Sequence, residues 1–314
     1  MKPIDVLGCA GWAGVLLSMP VWLPLFGPLF SLLAPLPFFY YSIKLGFRQG
    51  LKLTVLVLAL IALVAHLGGG THIAVFGVEF GALGFMLAAF TEKGYAPGRV
   101  ILLTTGVMAL LGITLLVALA SRRGMGPGEM ILAYLEAQMQ ASIEAYQSTG
   151  LAALDQNELE AFSQSLFDLL ARIYFSLMVI GMGVVVWLNM IAGRVLLKAR
   201  RIDLPGTAPL DRWHAPEQLV WALIVSGFLT FLGSGPLAVL AVNVLIVAMA
   251  VYLFHGLSII LFFLNRYRVP GWARAGVYFL IFMQQIFLVL LALLGLFDQW
   301  MDFRKMRKNE LENS

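Results

Sequence analysis

The sequence predicts an all-α fold: a polytopic transmembrane helical bundle of about eight or nine membrane segments with an extracytoplasmic amphipathic helical hairpin. Three observations carry this. Of 314 residues, 61% are hydrophobic and only 12% are charged, about half the charged share of a soluble domain. Mean hydropathy is +0.89. The apolar residues gather into runs near the roughly 20 residues needed to cross a bilayer. Together these exclude a soluble enzyme, a nucleic-acid binder and a disordered chain. The net charge of +4 fits basic loops at a membrane face and needs no nucleic acid. A single cysteine, Cys9, leaves no intrachain disulfide and no cysteine cluster for a metal. No cleavable signal peptide is expected, because the first apolar segment lacks a strongly basic leader.

The first segment, 4–19, is rich in small residues. The second, 21–42, carries Pro20 at its entrance, then Pro24, Pro28, Pro35 and Pro37. Proline removes backbone donors, and the carbonyls it frees need partners inside lipid. The second segment is therefore expected to be irregular and packed against neighbours. The third covers 51–67 and ends at Gly68-Gly69-Gly70, the fourth 72–90 and the fifth 99–120. The sixth covers about 169–193, the seventh 217–232, the eighth 237–264 and the ninth 273–297. Between the fifth and sixth, Ile131, Leu135, Met139 and Ile143 recur every fourth residue, with Glu136, Gln140 and Glu144 turned away, the pattern of an amphipathic helix. Asp155-Gln156-Asn157-Glu158 resembles a capping box, so one long helix is expected from about 156 through the sixth crossing.

Basic residues set the orientation. Lys44, Arg48 and Lys52, then Lys93 and Arg99, then Arg194, Lys198, Arg200, Arg201 and Arg212, then Arg266, Arg268 and Arg274 all fall on one face. That face and the N-terminus are read as cytoplasmic, with 121–167 outside and 201–216 a cytoplasmic loop. The basic tail Arg304-Lys305-Met306-Arg307-Lys308 conflicts with this count, because nine crossings put it outside. A re-entrant 217–232 brings the tail inside at the cost of sending Arg266, Arg268 and Arg274 out.

Polar groups at bilayer depth are costly and are the candidates for function. His66, His72 and Glu79 gather around the outward turn and form the candidate ligand site. Their spacing matches no metal signature, so no metal and no cofactor is expected. Glu79 lies about two helical turns, roughly 10 Å, deeper than His72, and Gly77, Gly81 and Gly84 permit either close helix approach or room for a ligand. Asn189, Asn243, His255, Gln284 and Gln285 are expected to hydrogen-bond between helices, with a proton relay the sharper alternative for His255. Ala10, Gly14 and Ser18 form a small-residue face suited to helix docking, within the chain or against another membrane subunit. The amphipathic segment 121–167 is a second candidate for partners; the bilayer itself is the certain one. Hydrolase signatures and a phosphate-cradling loop are absent. The chain is read as a non-enzyme that cannot power transport by ATP itself.

Several stretches resemble the YybS-like bacterial membrane proteins, a family of unknown function. They are Pro35-Leu36-Pro37-Phe38 with the basic 44–50 turn, the glycine-patterned 77–84 helix ending at Lys93, Tyr252-Leu253-Phe254-His255-Gly256-Leu257, and Gly295-Leu296-Phe297-Asp298-Gln299-Trp300-Met301-Asp302-Phe303-Arg304. That family is distantly similar to the substrate-capture components of energy-coupling factor transporters, six-helix bundles with both ends cytoplasmic. The resemblance implies that 1–200 forms such a bundle, with Ala10 and Gly14 where those components dock their membrane partner. The segments in 217–314 and the outward hairpin depart from that pattern. Two functions follow as expectations: a solute-binding, transport-related subunit, or a non-transporting scaffold that binds other membrane proteins.

Overall fold

The structure, a computed structural model, describes residues 2–67, 71–148, 156–202 and 209–304. Among these residues the regular elements are helices. The order is α1 (Pro3–Trp22), α2 (Gly27–Ser31), α3 (Pro35–Leu45), α4 (Phe47–Leu67), α5 (Thr71–Glu92), α6 (Pro97–Arg122), α7 (Pro127–Ser148), α8 (Gln156–Ala199), α9 (Leu219–Leu232), α10 (Gly235–Arg266), α11 (Gly271–Met283) and α12 (Gln285–Met301). Among the described residues six helices are long and apolar enough to cross a membrane: α1, α4, α5, α6, α8 and α10. A seventh span results if the bent pair α11–α12 is taken as one.

The other expected segments differ for local reasons. The second is split into α2 and α3, because Pro35 and Pro37 cannot donate to the carbonyls four residues before them. The seventh, α9, has 14 residues, about 21 Å of rise against a hydrocarbon core of about 30 Å. The ninth was expected as one straight helix. It instead bends by 102° between α11 and α12, at Gln284, whose backbone is extended (φ −115°, ψ 108°). α8 runs unbroken for 44 residues, as its capping signal and apolar periodicity led one to expect. Asp155 of that signal and the Gly68-Gly69-Gly70 turn lie outside the described residues, as does the tail beyond Arg304.

The chain divides into two units. The first comprises Met1–Met108 and Gly181–Trp213. Its core gathers Leu36 and Phe39 of α3, Leu83 and Leu87 of α5, Val100 of α6, and Val186 and Met190 of α8. Cys9, Ala13, Phe38, Leu53 and Val57 form a second cluster beside it. Glycines set the helix distances here. A Cβ on Gly84 would strike the Pro35 carbonyl and Phe38, and one on Gly193 would strike the Phe39 ring. Lys44 Nζ pairs with Asp5 Oδ1 at 2.7 Å, so α1 starts on the side where α3 ends.

The second unit comprises Ala109–Ile180 and His214–Ser314. Leu257, Ile281 and Leu291 form its core, joining α10, α11 and α12. Arg274 ties the α10–α11 connection: Nε donates to the Val269 carbonyl at 2.8 Å and Nη1 to Asn265 Oδ1 at 2.8 Å. In α7 the stripe Ile131, Leu135, Met139 and Ile143 is half-buried, while Glu136, Gln140 and Glu144 are exposed, as the four-residue periodicity predicts.

Candidate functional site

The two sequence stretches 252–257 and 295–304 pack on each other. α10 and α12 run antiparallel, with Gly256 facing Leu291 and Gly295 facing Tyr252. A Cβ on Gly256 would strike the Leu291 carbonyl, and one on Gly295 would strike the Tyr252 carbonyl. The two backbones touch because both positions lack side chains.

This close approach sets His255 of α10 against Asp298 of α12. α12 ends at Met301, and Asp302 adopts a left-handed conformation (φ 43°, ψ 60°), which turns Phe303 and Arg304 back over the helix end. The Phe303 amide donates to Asp298 Oδ1 at 2.8 Å. Arg304 Nη2 donates to Asp298 Oδ2 at 2.9 Å, and Nη1 donates to Ser258 Oγ at 3.1 Å. His255 Nε2 lies 3.0 Å from Asp298 Oδ2 and 2.9 Å from Arg304 Nη2. Exposure is 1% for His255, 4% for Asp298 and 3% for Arg304.

Taking charges out of water costs several kcal/mol per ion unless they are paired and hydrogen-bonded. Here one carboxylate meets one guanidinium, one charge of each sign, with His255 Nε2 against both. His214, ahead of α9, approaches from the open side. Its ring lies 5.5 Å from the His255 ring, edge to face. Desolvation against the cluster first, then the Arg304 guanidinium and His255, push His214 down to about 4, so it is neutral at pH 7. Beside it, Gln299 Nε2 donates to the Pro216 carbonyl at 3.4 Å.

The two asparagines perform backbone repair. Asn189 Nδ2 donates to the Leu32 carbonyl and to its own Val185 carbonyl, both at 2.8 Å. Leu32 needs this, because the amide four residues on, that of Leu36, bonds to Leu33 instead. Asn243 bridges one rung of α8. Its Nδ2 donates to the Arg172 carbonyl at 2.7 Å and its Oδ1 accepts from the Ser176 amide at 2.7 Å. Both meet the rule that backbone groups at bilayer depth find partners. Asn243 also borders an apolar cavity of about 200 Å³ lined by Phe175, Val179, Leu219, Leu240 and Val247.

The remaining sequence candidates divide. Glu79 is half-buried and His66 exposed; His72 lies in the first turn of α5, its side chain outside the described residues. Gly77 and Gly81 face Ile61 and Leu58 of α4, and Gly84 faces α3. At about 100° per residue, Glu79 projects from the opposite side of α5, so these glycines serve packing against α4 and α3. On α1, the buried face is Asp5, Cys9, Ala13 and Leu16. A Cβ on Gly14 would meet nothing within 4 Å, so among the described residues Gly14 makes no close helix contact; Ala10 and Ser18 are half-buried. Gln284 and Gln285 are exposed at the α11–α12 break and form no bridge between packed helices among the described residues. Arg304, which completes the cluster, read in the sequence as one more basic residue of a tail.

Apolar spanning helices, with polar side chains kept for backbone repair and one neutralised cluster, define a multi-pass α-helical membrane protein. From residue 13 to residue 299 the chain matches the family described as predicted membrane protein DUF2232, and it belongs to that family. No curated protein and no solved structure matches it.

Proposed function

We propose that the protein is a non-enzymatic, transport-related subunit of the bacterial inner membrane, with its N-terminus cytoplasmic and no ATPase of its own. Its working centre is the His255–Asp298–Arg304 cluster, in place of the His66–His72–Glu79 turn. The carrying observation is a buried, charge-compensated carboxylate near the end of α12, the helix that follows the 102° break at Gln284. Ionisable groups at bilayer depth mark ion and substrate pathways by default, and discontinuous helices recur where transporters bind and move their cargo. The resemblance to YybS-like proteins and to substrate-capture components points the same way. The test is gentle purification of wild type and Asp298→Asn, identification of co-purifying small molecules by mass spectrometry, and uptake of that solute into proteoliposomes. The reading expects a bound solute and uptake that Asp298→Asn abolishes in folded protein. Uptake unaffected by that change would reject the cluster as the working centre.

The scaffold reading has its own observation. The first unit has core clusters of its own side chains, while on α1 a Cβ added at Gly11 or Gly14 would meet nothing within 4 Å among the described residues. Co-purification of a stoichiometric membrane protein and of no solute would favour it.

A further inference from the structure

We propose that His214, His255 and Asp298 form a site for a divalent first-row transition-metal ion, and that Arg304 is the chain's built-in competitor for it. One ligating atom from each of the three residues lies within 4.8 Å of the others. Two imidazoles and a carboxylate are ordinary donors for such ions, with bonds of about 2.0–2.2 Å. Small rotations of the side chains therefore close the set around one ion. The carboxylate is held for this role: Oδ1 is fixed by the Phe303 amide, which leaves Oδ2 pointing at His255 Nε2, an orientation second-sphere partners give to metal ligands. His255 and Asp298 are buried and His214 is exposed, so the set has a closed floor and one open edge. Three protein ligands with an open position belong to exchangeable or reactive metal sites more than to closed structural ones.

The notch between His255 Nε2 and Asp298 Oδ2 already holds a cation, the Arg304 guanidinium, at 2.9 Å from each. A guanidinium and a divalent ion cannot share one carboxylate oxygen at that range without strong repulsion. Metal entry therefore expels Arg304 and frees the turn at Asp302 that carries it. Metal and tail become alternative occupants of one site. This inference concerns the same cluster as the proposed function but holds whether or not the protein transports anything, since binding is read in purified protein.

The probe is Co²⁺, titrated into tag-free protein in detergent and followed by its visible d–d absorption. Arg304→Ala is expected to bind one equivalent at least tenfold more tightly than wild type, and the added change Asp298→Asn is expected to abolish that gain. If folded Arg304→Ala binds Co²⁺ no more tightly than Arg304→Ala/Asp298→Asn, the site does not exist. Wild type supplies a second reading that needs no variant to fold. Saturating Zn²⁺ should raise the rate of tryptic cleavage after Arg304 severalfold, scored by intact mass, and chelator added before trypsin should abolish the increase. Cleavage unchanged by Zn²⁺ would overturn the competition.

Discussion

Gly295→Ala tests the α10–α12 contact on which the cluster depends. The added methyl meets the Tyr252 carbonyl and the Gly256 amide nitrogen. Both are backbone atoms of α10, so no rotamer change relieves the clash. The helices must move apart by about 1 Å, and overpacking of this kind costs about 1–3 kcal/mol. The same movement stretches the 3.0 Å His255–Asp298 and 2.9 Å Arg304–Asp298 contacts to about 4 Å, beyond hydrogen-bond range. At about 2–4 °C per kcal/mol for a protein of this size class, the midpoint should fall by about 2–12 °C. Gly14→Ala is the matched control, because its methyl enters open space. Thermal unfolding in nanodiscs, followed by circular dichroism, compares the two. Equal midpoints for Gly295→Ala and Gly14→Ala would refute the close backbone approach and the cluster geometry built on it.

Asn243→Val should destabilise by about 1–3 kcal/mol, because it leaves the Arg172 carbonyl and the Ser176 amide without the side chain that bridges them; denaturant titration measures it. His214 is held near 4 in the folded protein against about 6.5 when unfolded, so its contribution is complete above pH 6.5. It declines as pH falls from 6.5 towards 4, where the unfolded chain takes up a proton and the folded one does not. His214→Gln should flatten that part of the stability profile, and an unchanged slope would count against the His214 placement. A cysteine introduced at Gln147 should label from outside the cell and one at Thr207 should not; the reverse pattern inverts the proposed orientation.

Most helices were legible because hydropathy and periodicity report local structure. The starts of α6 and α7 fall near Pro97 and Pro127, α8 follows its capping signal, and the proline-dense segment broke into α2 and α3 for the reason its composition suggested. The break at Gln284 was not legible, since the run from 273 to 297 is apolar on both sides. Its one trace is a pair of adjacent amides at mid-segment, read as interhelical bridges. Asn189 and Asn243 were recognised as hydrogen-bonding residues, but their backbone targets at Leu32 and in α8 lie far off in sequence. The cluster was half-visible. His255 stood out as a polar group in an apolar run and Asp298 lay in the stretch 295–304, yet they are 43 positions apart. Arg304 joins them only because Asp302 reverses the chain, and periodicity does not register a single left-handed residue.

The central claim is that Arg304 folds back into the apolar interior to neutralise Asp298 beside His255. A double-mutant cycle with Asp298→Asn, Arg304→Gln and the pair, read by unfolding in nanodiscs, tests it most directly. Each single change leaves a buried charge uncompensated and should cost about 3–5 kcal/mol. The double variant removes both charges and should be less destabilised than the sum of the singles by about 2 kcal/mol or more. Costs that add to within about 0.5 kcal/mol, as independent sites do, would contradict the account.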